Sequence, residues 1–239
     1  MDKNLNELLR WGIEHSTPSD SAAAPQHNSS LNAAALASIM GAPSDAELMR
    51  ASMVAITSAD ADVSLEARLI AFDNLEQLVE SLDNANLLAT LGLWSPLLAL
   101  LAHAEPDLRR MAAWCVGTAV QNNSPCQERL VALGGVERLV RMSLGERLPA
   151  EEPAADTAGG ANGDTKDEGG QREEEEAKDV RRKAVYALSS AVRNYQPALD
   201  VAARELRKRG EHVQDGIDAA DMDAVDELIN GLKQRAVAA

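Results

Sequence analysis

The stretch from Arg109 to Asn123, RRMAAWCVGTAVQNN, returns 72 positions later from Arg181 to Tyr195 as RRKAVYALSSAVRNY. Aligning residues 105–125 with 177–197 gives identical residues at eight of 21 positions. Both copies place apolar residues three and four positions apart, which is typical of the buried face of an α-helix. The chain therefore contains one helix twice, which indicates a repeat protein.

A third copy lies 42 positions before the first. There Arg68 aligns with Arg110, and Leu91-Gly92 aligns with Leu133-Gly134, so the similarity covers two helices and the turn between them. A period of about 42 lies in the range of armadillo and HEAT units, which bury their apolar faces by stacking on neighbours. We therefore predict an all-α fold, a right-handed armadillo/HEAT-like α-solenoid of about three repeats.

An acidic segment at 145–178 accounts for the 30 residues by which the second spacing exceeds the period. It has 11 acidic and four basic residues, a net charge of −7 out of the chain's −15. Low hydrophobicity with high charge offers too little apolar burial to offset the entropy of ordering. We predict a disordered insertion at 145–178, between armadillo repeats at 44–144 and a last repeat at 179–239.

Helix signals support this layout. Ser44-Asp45-Ala46-Glu47 is a capping-box pattern that predicts a helix start. A long helix follows, whose predicted core stripe is Leu65, Leu69, Phe72, Leu75, Leu78 and Leu82. After Asp221, a final amphipathic helix is predicted to cover the exposed end of the solenoid, with Met222, Val225, Leu228, Ile229 and Leu232 on one face. Residues 1–43 are predicted to be a short helix and a flexible linker.

Composition and charge indicate the type of fold, the kind of partner and the location to expect for this protein. Apolar residues make up 45% of the chain but aromatic residues only 3%, which favours helices over strands. The net charge of −15 disfavours nucleic acid and anionic membranes as partners, because phosphate binding needs clustered Lys and Arg. Neither a secretory signal nor a run of about 20 apolar residues is present in the sequence. We expect a cytoplasmic protein and a monomer.

No motif indicates catalysis. The sequence lacks a phosphate-binding loop, a zinc-protease motif and a nucleophile elbow. The spacing of Cys115 and Cys126 and the scattered histidines fit no metal site, and the helical pattern puts Cys115 on a buried face. We therefore predict no catalytic residue, no metal, no cofactor and no enzyme activity.

Polar residues recur where the repeated helices end. They are Asp83, Asn84 and Asn86, with Ala85 among them, in the first copy, Gln121 and Asn122 in the second, and Arg193, Asn194 and Tyr195 in the third. Stacked units place equivalent positions side by side, so these residues are candidates for a polar ridge that binds a partner. The alternative is that the asparagines only cap helix ends and turn the chain. Spacing alone leaves both interpretations open.

These motifs also carry a resemblance. The runs LIAFDNLEQLVESLDNANLLATLGLW, EPDLRRMAAWCVGTAVQNNSP and VRRKAVYALSSAVRNYQPALD closely resemble the fungal cytosolic nucleotide exchange factors of heat-shock protein 70. The resemblance covers about 5–200. It implies an armadillo solenoid whose concave side embraces lobe II of the chaperone's nucleotide-binding domain, opens the cleft, lets ADP leave and so releases client. It also implies that chaperone contacts fall around Asp83 to Asn86.

The same resemblance assigns a role to the start of the chain. In this family the N-terminal segment is thought to mimic client and occupy the chaperone's peptide-binding domain. Leu8, Leu9 and Trp11 are the matching apolar residues here. The alternative is a helix docked on the body of the protein.

A rival hypothesis is an armadillo-type adaptor that binds an extended or basic peptide, without exchange activity. Such grooves use Trp and Asn one helical turn apart. Here the residue one turn after Trp114 is Thr118, and the corresponding positions hold Glu76 and Ser190. The acidic charge suits a basic peptide, but the Trp and Asn pattern is missing.

Overall fold

A computed structural model describes residues 41, 43–149 and 175–238 of the 239-residue chain. The described residues are helical with no strand. By its contacts the chain divides into two compact units, 1–48 and 49–239. The predictions for the N-terminal segment and for the middle of the acidic segment, 150–174, lie outside the described residues.

The described part of the first unit contains the predicted capping box. The Ser44 N–H donates to Glu47 Oε2 at 2.8 Å, and the Glu47 N–H donates to Ser44 Oγ at 3.3 Å. This reciprocal bonding satisfies backbone donors that have no partner within the helix. The predicted helix start is thus confirmed, and helix α1 runs over Asp45–Thr57.

The second unit repeats a pattern of two short helices followed by a long one. Helix α2 is Leu65–Val79 and is followed by α3 at Leu82–Thr90, α4 at Trp94–Ala99 with a 3₁₀ turn at Leu100–Ala102, and the long α5 at Pro106–Val120. The next set is α6 at Ser124–Ala132, α7 at Gly135–Ser143 and the long α8 at Lys178–Val192. The last helices are α9, Gln196–Lys208, and α10, Met222–Ala238. Helix α9 is not predicted by the repeat pattern of the sequence.

The long helices stack side by side in the order α2, α5, α8 and α10. Residues about one period apart touch: Cys115 Sγ–H donates to the Phe72 carbonyl at 3.8 Å, and Thr118 Oγ1 donates to Glu76 Oε1 at 2.7 Å. Two contacts at nearly the same offset require α2 and α5 to run parallel. The all-α, solenoid-type fold and the period of about 42 are confirmed.

Burial of apolar side chains between these layers explains the stack. Phe72, Leu75, Leu108 and Leu188 are almost completely buried, and each such side chain contributes about 1.5–3 kcal/mol of hydrophobic stabilisation. The predicted core stripe of α2 is wrong at its ends, because Leu65 is 38% and Leu82 is 56% exposed. Leu82 begins the next helix, so the helical phase of α2 does not reach it.

The ends of the acidic segment belong to the helical body. Leu148 is buried, and the Glu176 N–H donates to the Gly145 carbonyl at 2.8 Å. The Glu176 carboxylate is buried against Arg109, which holds the chain where α8 is about to begin. The boundary predicted at 145–178 therefore includes packed residues on both sides.

Helix α10 covers the last layer as predicted. Val225, Ile229, Leu232 and Ala236 are buried, and α10 packs on α8. Asp221 caps its start by accepting from the Asp223 and Ala224 N–H groups at 3.1 and 3.2 Å. Among the described residues, no single helix has the length and apolarity to cross a membrane, and the one pair that does so jointly, 82–90 with 94–102, is bent by 96°.

Candidate functional site

The predicted polar residues lie where α2, α5 and α8 end and the next short helix begins. Because α2 packs beside α5 and α5 beside α8, with equivalent residues in contact, these turns follow one edge of the stack. We call residues 81–86, 121–123 and 193–195 the polar edge. Its members differ in exposure, which separates residues that support the turns from residues that can touch a partner.

In the first turn of the polar edge, two residues are structural. Asn84 is buried, and its Nδ2 donates to the Leu78 carbonyl at 3.0 Å, which ties α3 to the end of α2. Ala85 is 1% exposed, and its carbonyl accepts from Cys126 Sγ–H at 3.4 Å. Asp83 and Asn86 are exposed, and Asn86 Oδ1 also accepts from Cys126 Sγ–H at 3.6 Å.

In the second and third turns, the asparagines set the backbone. Asn122 and Asn194 have φ angles of +52° and +56°, the left-handed conformation that ends many helices. Apart from glycine, asparagine adopts it at the lowest cost, because its side chain can form local hydrogen bonds. The capping interpretation is therefore right for these two positions. Both residues remain exposed, so contact with a partner is still open to them.

Gln121 and Tyr195 flank these turns. Gln121 is exposed, and its Oε1 accepts from the Tyr186 hydroxyl at 3.4 Å, across the α5–α8 contact. Tyr195 is half-buried against the core and precedes α9. Desolvation, with a smaller effect of the Glu128 carboxylate, raises the pKa of Tyr195. Its hydroxyl therefore stays neutral at physiological pH.

Arg193 joins two layers instead of pointing freely outward. Its Nε donates to Ser189 Oγ at 3.1 Å, its Nη1 approaches Met222 Sδ at 3.5 Å, and its Nη2 pairs with the Asp226 carboxylate. The side chain is 30% exposed. Arg193 thus braces α8 against α10 while keeping one side open to solvent.

Gln127 is a supporting residue that sequence analysis missed. Its buried Nε2 lies 3.2, 3.0 and 3.0 Å from the carbonyls of Ser190, Ala191 and Arg193. These carbonyls end α8 and lack helical partners of their own. Gln127 therefore holds the third turn of the polar edge in place. A buried Gln near a helix start gives no pattern that sequence analysis would recognise.

A second cluster lies on the long helices themselves. The Lys183 ammonium sits 3.4 Å above the centroid of the Trp114 ring and 5.6 Å from that of Tyr186. Thr118, one turn beyond Trp114, is engaged with Glu76. We call Trp114, Lys183 and Tyr186 the aromatic-lysine cluster. The repeat could have drawn attention to Lys183, because this charged residue aligns with Met111, which is buried.

The described residues offer little reactive chemistry. They include no group of three or more His, Cys, Asp or Glu side chains that could hold a metal ion. Desolvation, and then the Glu76 carboxylate, raises the pKa of the Cys115 thiol well above its usual range, and desolvation raises the pKa of Cys126 to about 11. Both buried thiols stay protonated near neutral pH, so neither is a nucleophile there.

The similarity to known proteins runs along the whole chain. A family model described as nucleotide exchange factor Fes1 matches residues 5–88. The Hsp70 nucleotide exchange factor FES1 of Gibberella zeae is 51% identical over 236 residues, which cover 98% of this chain and 97% of that protein. The Hsp70 nucleotide exchange factor fes-1 of Neurospora crassa is 45% identical over 274 residues, covering both chains completely.

A third relative extends the same finding. The Hsp70 nucleotide exchange factor FES1 of Coccidioides immitis is 44% identical over 244 residues, which cover 98% of this chain and 99% of that protein. The resemblance inferred from the repeat motifs is confirmed. With identity of this level over nearly its full length, the chain belongs to the Fes1 family of nucleotide exchange factors.

Proposed function

We propose that this protein is a nucleotide exchange factor of Hsp70: it binds the chaperone's nucleotide-binding domain, promotes ADP release and thereby releases client. The observation that carries the proposal is the 51% identity, over 98% of the chain, to a protein named for this activity. The parallel stack supports it, since a solenoid offers an extended surface for another domain. We place the activity in the cytoplasm and expect the protein to act as a monomer.

The mechanism requires no covalent step by this chain. An exchange factor works by binding the open form of the nucleotide-binding domain more tightly than the closed form. Moving a domain from 1% to 99% open takes a difference of about 5.5 kcal/mol in binding free energy. We propose that lobe II of the domain lies against the concave side of the solenoid, where the long helices supply a rigid surface. The protein is thus a co-chaperone and not an enzyme.

The polar edge is the proposed source of specific contacts. Asp83 and Asn86 are exposed polar members of its first turn, and the exposed Gln121, Asn122 and Asn194 follow along the stack. Asn84, Ala85 and Arg193 act through their support of the turns and layers. Tyr195 is half-buried and belongs to neither group.

A substitution at Asn86 tests the proposal. The release of a fluorescent ADP analogue from Hsp70 is measured by stopped flow at increasing concentrations of this protein. We expect acceleration that saturates, and we expect Asn86→Arg to need a higher concentration for the same rate. Asn230→Arg makes the same change at an exposed position of α10 and serves as the control. No acceleration by the unsubstituted protein would refute exchange activity.

The N-terminal segment has a separate proposed role. Leu8, Leu9 and Trp11 are apolar residues suited to the peptide-binding domain of Hsp70. If they occupy that domain, deleting residues 1–30 should leave ADP release unchanged and slow the release of a labelled client peptide. A deletion variant that loses ADP release would instead assign the segment to the main interface.

The adaptor hypothesis has less support. A groove for an extended peptide needs an exposed Trp beside a free Asn amide. In this chain the Trp114 ring is covered by Lys183, and the neighbouring Thr118 hydroxyl is engaged with Glu76. The family relationship and these contacts both favour the exchange factor.

A further inference from the structure

The aromatic-lysine cluster is built around a positive charge that faces aromatic rings. Lys183 stands over Trp114 and near Tyr186, but its ammonium forms no ion pair within the part of the chain that the structure describes. The cation–π contact fixes the position of a side chain that would otherwise be mobile. The cluster therefore presents an ordered positive charge.

Arg110 and Arg182, which lie near Lys183, favour a bound anion there, whereas Glu76 disfavours it. Desolvation lowers the pKa of Lys183, and the nearby Arg110 and Arg182 lower it further, while Glu76 opposes them. Arg110 and Arg182 each have an acidic partner three residues earlier on their own helix, Asp107 and Asp179. Glu76 is buried and bonded to Thr118. An incoming carboxylate would relieve the repulsion that these three basic residues share.

The repeat shows that the helix does not need this lysine. In the preceding layer the equivalent position is Met111, which is 5% exposed and fills the core. In α8 the same position carries a charged, half-buried side chain next to two aromatic rings. An apolar residue would satisfy packing at this position of α8. Packing therefore does not explain the charge of Lys183.

The chemistry of the cluster also limits the kind of partner. Nucleic acid is disfavoured by a net charge of −15, since its binding needs many cationic contacts. One ammonium held over two aromatic rings suits a single acidic side chain on a folded protein surface. We propose that Lys183 receives an Asp or Glu side chain of the Hsp70 nucleotide-binding domain, with Trp114 and Tyr186 holding it in position. This inference rests on the function proposed above.

The test compares full-length variants in a binding titration with the isolated Hsp70 nucleotide-binding domain. Lys183→Gln removes the charge, and we expect it to weaken binding at least about tenfold, as expected for a desolvated charge pair. Lys183→Arg keeps a cation that stacks on aromatic rings, and we expect it to restore affinity to within about threefold. Raising the salt from about 50 to 500 mM should weaken the unsubstituted protein more than Lys183→Gln.

Lys233→Gln is the matched control. Lys233 is exposed on α10, and its substitution makes the same change in net charge. If Lys183→Gln and Lys233→Gln bind equally, the inference is wrong, although exchange activity of the unsubstituted protein would still support the proposed function. Tighter binding by Lys183→Gln would also overturn it and would indicate that the cluster engages an acidic part of this chain. Failure of the unsubstituted protein to bind would refute both proposals.

Discussion

Arg109 and Arg181 occupy equivalent positions in two copies of one helix, and both side chains are 5% exposed, yet their partners differ. Arg109 donates Nε and Nη2 to the two oxygens of Glu176, at 2.7 and 2.6 Å. Its Nη1 donates to the carbonyls of His103 and Ala104 at 2.7 and 2.8 Å. Arg109 is thus fully engaged, with partners just before α5 and just before α8.

Arg181 has a weaker set of partners. Its Nη1 pairs at 2.7 Å with Glu175, whose side chain is 64% exposed, and its Nη2 donates to the Arg235 carbonyl at 3.2 Å. Its buried Nε has no hydrogen-bond partner among the residues that the structure describes. The two arginines show that a repeat specifies a helix and its register. The neighbouring layer determines which partners each repeated side chain has.

The largest expected effect is a difference in unfolding free energy between variants of Glu175 and Glu176, the two glutamates that precede α8. Glu176→Gln removes one charge of a buried pair and leaves the other uncompensated, which costs about 3–5 kcal/mol of unfolding free energy. Glu175→Gln should cost less, because the Glu175 side chain is 64% exposed and water screens its interaction with Arg181. Urea denaturation of both variants measures the difference. Equal losses would show that burial does not distinguish the two pairs.

A second expected effect concerns glycines in two long helices. A Cβ on Gly117 would lie 2.6 Å from Tyr186 Cε1 and 2.9 Å from the Cα of Ala187, so α5 and α8 must move apart. Overpacking costs about 1–3 kcal/mol, and alanine's helix propensity returns up to about 1 kcal/mol. We expect Gly117→Ala to lower the unfolding free energy by about 1–2 kcal/mol.

Gly231 in α10 is the matched control for this substitution. A Cβ there would meet nothing within 4 Å. Gly231→Ala should raise the unfolding free energy by about 0.5–1 kcal/mol, because only the helix propensity changes. Thermal unfolding followed by circular dichroism would show shifts of opposite sign. A stabilised Gly117→Ala variant would mean that the α5–α8 contact is looser than the structure shows.

A third expected effect concerns two positions at which the copies are alike. Asn122 and Asn194 share the left-handed backbone conformation, so alanine at either position should cost about 1 kcal/mol. Glycine should be tolerated at both, since it adopts positive φ without strain. Urea denaturation of the four single variants checks this. A clear difference between the two alanine variants would indicate that one side chain stabilises the fold beyond its turn.

Prediction from sequence was most successful for local and periodic features. The capping box at Ser44, the helix that ends before Asn122 and the last helix after Asp221 all depend on spacings of a few residues within one helix. The period of about 42 was visible because stacked layers need the same apolar face in every copy.

The candidate site was predicted only in part. Its position at the helix ends follows from the repeat, but the exposure of its members does not. Ala85 is buried while the adjacent Asn86 is exposed, and Gln127 supports a turn more than 60 residues away along the chain. Contacts of this kind join different layers, and one sequence contains no spacing that reveals them.

Most of the helices, their repeat and the family can be inferred from the amino-acid sequence, because each depends on patterns along one chain. The tertiary structure alone decided which of two adjacent glutamates is buried against Arg109, and it brought Lys183 over Trp114. Those outcomes depend on the distance and angle between stacked helices. Packing of whole layers sets these quantities, and no single helix encodes them.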